Sequence, residues 1–97
     1  MTNTIKVGDG EVIITLDTLV DIDEATALAI KWRKPDGTKG EWTAEQSSVE
    51  GEEMCVTYTA PKTEFLQPGA YKLNSYVEFT SDAPHTGTDV FFLVEPV

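Results

Sequence analysis

Four carboxylates crowd one short stretch of this chain: Asp17, Asp21, Asp23 and Glu24. A calcium ion takes about six to eight oxygen ligands, so a cation site would start from such a cluster. The spacing of the calcium-binding helix-loop-helix is missing, and no glycine stands at its turn position. A loop capped by its own carboxylates, with the remaining charge solvated, accounts for the cluster better. Cys55 and His85 are the chain's single cysteine and single histidine. A zinc site needs three or four ligands, which these two cannot supply. Cys55 stands between Met54 and Val56 in an alternating run, with no base placed beside it, and reads as a small strand side chain. His85 can be drawn into a hydrolytic triad with Ser75 or Ser81, yet neither serine carries a nucleophile-elbow sequence. Gly8-Asp9-Gly10 is too short and wrongly placed to cradle a phosphate. No catalytic constellation, metal or cofactor is expected.

Trp32 and Trp42 would make a ligand platform, as in carbohydrate-binding modules, if both lay on an open face. Strand alternation places them with Ile30 and Leu28, facing a core. That alternation belongs to a series of about seven short strands separated by turn signals. The first lies near Ile5 to Val7. The second runs from Glu11 to Thr18, with Val12, Ile14 and Leu16 on one face and Ile13 and Thr15 on the other. Asp21 caps an expected helical turn, with Glu24 in box-like spacing. The third strand runs from Ala27 to Lys34, with Leu28, Ile30 and Trp32 on one side and Lys31 and Arg33 on the other.

Lys34-Pro35-Asp36-Gly37-Thr38 reads as a hairpin loop. Pro35 suits the first inner position of a type I turn, Asp36 the second, and Gly37 the left-handed position that follows. This turn pairs Lys34 with Thr38. Counting outward then sets Lys31 opposite Glu41, Ile30 opposite Trp42 and Leu28 opposite Ala44. Opposite charges meet on one face and apolar groups on the other. Gly40 falls across from Trp32, leaving room for the indole.

A polar loop follows over 47–53, then a fifth strand from Met54 to Thr59, ended by Ala60-Pro61. A helical turn over 62–67 crosses between sheets. The sixth strand runs from Tyr71 to about Thr80, a loop over 81–87 follows, and the seventh spans about Thr88 to Glu95. In the last strand Val90, Phe92 and Val94 alternate with Phe91 and Leu93. So apolar a run needs cover on both faces or leaves a sticky side. Phe91 and Leu93 are the candidate interface residues. Trp32, Ile30, Trp42, Tyr71 and Leu73 are the expected core.

The 97 residues make one domain, 1–97, able to bury a single core. One cysteine permits no internal disulfide. With a net charge of −10, one arginine and six lysines, the chain is unsuited to nucleic acid and to anionic membranes. No apolar run approaches the ~20 residues that span a bilayer. The opening Met1-Thr2-Asn3-Thr4 carries no basic and apolar leader, so cytoplasmic synthesis is expected.

Two sets of residues carry a resemblance. Trp32 in the third strand, and Leu66, Gly69 and Tyr71 before the sixth, resemble the core tryptophan and tyrosine corner of immunoglobulin domains. Leu73 stands where the immunoglobulin cysteine would fall. The fold expected is an all-β, immunoglobulin-like two-sheet sandwich of Greek-key type without a disulfide. More widely, Ile14 to Thr18, Ala25 to Thr38, Gly40 to Ala44, Leu66 to Tyr71 and Ser75 to Glu78 resemble a family of small structural and accessory proteins of tailed bacteriophages and prophages. They are also similar to the immunoglobulin-like N-terminal domains of phage baseplate proteins. The resemblance implies a non-enzymatic virion component of capsid, head, tail or baseplate. Its implied partners are other phage structural proteins or a second copy. A carbohydrate-binding adhesion module on a virion or host surface is the alternative, and an exposed aromatic pair would favour it.

Overall fold

The computed structural model describes residues 3–8, 10–80 and 83–94. Met1, Thr2, Asp9, Ser81 and Glu95, used in the readings above, lie outside them. The described chain is all-β. Its strands are β1 (Thr4–Val7), β2 (Glu11–Asp17), β3 (Ala25–Arg33), β4 (Lys39–Thr43), β5 (Glu45–Gln46), β6 (Cys55–Pro61), β7 (Gly69–Phe79), β8 (His85–Thr86) and β9 (Val90–Val94). One 3-10 turn, Lys62–Phe65, carries the chain from β6 to β7.

Two antiparallel sheets form the sandwich. One has the order β1-β2-β6-β5; the other has β4-β3-β7, with β8 and β9 both on the far side of β7. This is the two-sheet arrangement of an immunoglobulin-type sandwich, with an extra strand beside the third. Val12, Ile14 and Leu16 from β2, Val56 and Ala60 from β6, and Ile30, Trp42, Tyr71, Leu73 and Val77 from the other sheet fill the space between. The single cysteine, Cys55, is buried.

The hairpin adopts the expected register. Ile30 pairs with Trp42, Lys31 with Glu41, and Trp32 with Gly40. Gly37 N donates to Lys34 O at 2.9 Å, Lys34 N donates to Thr38 O at 2.8 Å, and Gly37 has φ 92°. A Cβ at Gly37 would meet nothing within 4 Å, so any cost of substitution there is backbone strain alone. Gly37→Val should therefore destabilise by about 1 kcal/mol or more, and Gly37→Asn by distinctly less, because Asn tolerates the left-handed region. Urea melts of both variants check this; equal losses would mean that strain is not the cause.

The corner before β7 also forms as read. The Tyr71 hydroxyl donates to Gln67 O at 2.7 Å, and the ring is buried. Burial pushes the phenol above its ordinary value, so it stays a donor.

Four local readings are corrected. Asp21 caps no helical turn; its carboxylate accepts from Asp23 N at 2.9 Å, and Ala25 N closes a β-turn onto Ile22 O. The stretch before the 47–53 loop contains a strand, β5, which pairs with Thr57 and Val56. The 81–87 segment contains β8, pairing with Tyr76 and Val77. The last strand starts two residues later than expected, at Val90 rather than Thr88, and is not interrupted. Between β8 and β9, Gly87 N donates to Ser75 O at 2.9 Å, and a Cβ at Gly87 would overlap the serine hydroxyl. Among the described residues nine strands thus stand where seven were expected, the two additions being two residues long each.

Candidate functional site

The outward face of the β4-β3-β7-β9 sheet gathers the residues that could bind something. Registers place Lys39 beside Arg33, Arg33 beside Lys72, and Lys72 beside Phe91, in one row across four strands. The next row toward β9's end pairs Ala70 with Leu93. Phe91 is 68% exposed and Leu93 65%. Their neighbours Val90, Phe92 and Val94 turn inward and pack on the core. The final strand therefore has a sticky outer side, and Phe91 and Leu93 are its two apolar contacts. β9 pairs with β7 alone among the described strands and carries no charged residue. Charges and prolines are the usual protection of an open strand edge, and β9 has neither.

The rest of this face is shallow and mixed. A trough of about 580 Å³ is floored by Ala27 and Ala29 and walled by Glu41, Thr43, Tyr76 and Glu78. Lys31 lies over the Tyr76 ring at 4.1 Å, and the Tyr76 hydroxyl donates to Glu78 at 2.8 Å. That hydrogen bond raises the Tyr76 pKa above its ordinary value. Asn74 donates to Asp89 across the gap between β8 and β9.

The tryptophans lie inward. Trp42 is buried at 7% exposure, stacked on Tyr58 with centroids 5.0 Å apart, and its Nε1 donates to Glu64 at 2.9 Å. Trp32 is only half-buried, packed at the core's margin 6.0 Å from Trp42, with Lys34 at 5.1 Å from its ring. Its Nε1 is buried without a hydrogen-bond partner among the described residues. Gly40 makes its seat: a Cβ there would overlap the indole.

The residues considered for chemistry are not brought together. Cys55 lies under the loop over 47–53, with its N–H given to Glu52 O at 3.0 Å. Burial is the chief cause that pushes its thiol pKa up, and Asp17 adds to it, opposite to what a nucleophile needs. His85 Nε2 lies 2.9 Å from Thr18 O. Ser75 Oγ is buried with no hydrogen-bond partner among the described residues. Asp17 accepts from Leu19 N, and Asp23 accepts from the Gln46 side chain at 3.0 Å. The carboxylate cluster is thus spent in part on fixing its own loop. No group of three or more metal-ligating side chains converges among the described residues. No helix is long and apolar enough to cross a membrane there. Sequence reasoning missed the row Lys39, Arg33, Lys72, because the pairing of β3 with β7 spans a long stretch of chain. Comparison with protein families, curated proteins and solved structures gave no match.

Proposed function

We propose that this protein is a non-enzymatic structural or accessory component of a bacteriophage virion, in capsid, head, tail or baseplate, acting by association with other phage structural proteins. The observation that carries the association is the apolar pair Phe91 and Leu93, open on an uncharged edge strand. An edge of this kind is a template for another chain. The phage assignment is supported by the sequence resemblance of the hairpin and corner runs. The cationic row beside Phe91 spans three strands, about 10 Å at ~4.8 Å per strand, in a chain of net charge −10. That is a footprint for a protein contact rather than for a nucleic-acid backbone or an anionic membrane. The carbohydrate-module alternative calls for two aromatics on an open face, and Trp32 and Trp42 point between the sheets.

Quantitative mass spectrometry of purified virions tests the proposal. The expected result is a fixed copy number, at a multiple of capsid or tail symmetry. Absence from virions, with the protein free in infected cells, would overturn it.

A further inference from the structure

Charge is segregated along the strands of this sandwich. One end is formed by the segment 17–24, with Asp17, Asp21, Asp23 and Glu24, and by the segment 45–53, with Glu45, Glu50, Glu52 and Glu53. The two segments are joined: Thr18 N donates to Met54 O at 2.9 Å and Gln46 to Asp23 at 3.0 Å. Neither contains a lysine or arginine. β3 leaves this end at Ala25 and reaches the row of Lys39, Arg33 and Lys72 at its other end. Nine residues at ~3.3 Å each put about 26 Å between Ala25 and Arg33. The Debye length is ~8 Å at physiological salt. Within one molecule the two charge clusters are therefore screened from each other, and the acidic end bears its own repulsion.

The acidic end also holds exposed apolar groups. Leu19 is 61% exposed, at φ 64°, with its N–H held by Asp17; Val49 is 57% exposed. Apolar residues carried on two acidic segments, Leu19 on 17–24 and Val49 on 45–53, thus match Phe91 and Leu93 beside cations at the other end. We infer that the face carrying Phe91, Leu93, Lys72 and Arg33 receives the acidic end of a second copy of this chain, Leu19 and Val49 seating on the apolar pair. Such a contact is heterologous. It closes into a ring when the rotation between copies allows, and otherwise continues as a filament. It rests on the reading that the protein works by association. Virion copy number tests that reading without touching this contact, so the two can fail separately.

Sedimentation of the purified chain over a range of concentrations, with two variants, tests the inference. Arg33→Ala/Lys72→Ala/Phe91→Ser disables the face; Leu19→Ser/Asp23→Asn/Val49→Ser disables the acidic end. All the altered groups lie at the surface, and circular dichroism checks that both variants fold. The wild-type chain is expected to self-associate, at least about tenfold more weakly in ~1 M salt than in ~0.01 M, where screening extends over ~3 and ~30 Å. Each variant alone should be monomeric. Their equimolar mixture should form dimers and nothing larger, since one working face and one working end remain. A wild-type chain monomeric at every concentration would overturn the inference. So would variants that associate like the wild type, or a mixture that stays monomeric.

Discussion

Trp42→Ala should cost about 3–5 kcal/mol, a large share of the stability of a domain this size. Trp42 is where the aromatic side chains of the two sheets meet. Its ring stacks on Tyr58, meets Phe65 edge-on at 5.8 Å and touches Trp32. Phe65 in turn packs on Tyr71 and Phe92, so one deletion loosens the contact between β4, the 3-10 turn and β9. The Glu64 carboxylate also loses the Nε1–H that it accepts. At ~4–8 °C per kcal/mol the melting temperature should fall by about 12–40 °C. Trp32→Ala should cost about half as much, since its side chain is half-exposed and its Nε1 has no hydrogen-bond partner among the described residues to lose. Thermal melts of the two variants side by side decide it. An equal or larger loss for Trp32 would move the centre of the core to that residue.

That contrast marks how far sequence reasoning reaches. Alternation gives the face on which a side chain lies, and both tryptophans do lie inward. It cannot give depth, because depth depends on what the opposite sheet places above each position. β6 brings Tyr58 over Trp42, whereas Trp32 sits near the end of β3. The hairpin was readable because its turn residues and its charge pairing depend on near neighbours only. Tyr71 was readable for the same reason, since its partner, Gln67, is four residues away. β5 and β8 were not, since two residues carry no period. The corrected turn at Asp21 came from a side chain able to cap either a helix or an Asx-turn; tertiary packing of Ile22 into the core decided between them.

The candidate site divides along the same line. Phe91 and Leu93 were readable as the outer side of a strand whose both faces are apolar. Their setting was not. The row from Lys39 through Arg33 to Lys72 comes from pairing β3 with β7, which no local rule fixes. The gathering of the 17–24 and 45–53 carboxylates at one end likewise needs β2 paired with β6. Charge counts read as dispersed along a chain can be polarised in the fold, and only the long-range registers reveal it.

Gly40→Val should destabilise the domain by about 3 kcal/mol, although local preferences argue the other way. Valine suits a strand better than glycine, and glycine inside a strand costs roughly 0.5–1 kcal/mol relative to alanine. Gly40 has no left-handed φ that would reserve it for glycine. What reserves it is the Trp32 indole, which occupies the space a Cβ would need. The conflict is between two rigid groups, a strand backbone and an aromatic ring, so it cannot be relieved by rotating a flexible tip. The indole must leave its seat between Gly40 and Leu73 and give up its packing against the core. The cost should therefore belong to the pair rather than to the position. In a Trp32→Leu background the same Gly40→Val change should cost less than about 1 kcal/mol, or stabilise, giving a coupling of about 2–3 kcal/mol. Urea melts of the four proteins close the cycle. A penalty that survives in the Trp32→Leu background would place its cause in the strand itself, and the indole would no longer explain why this position in β4 holds glycine.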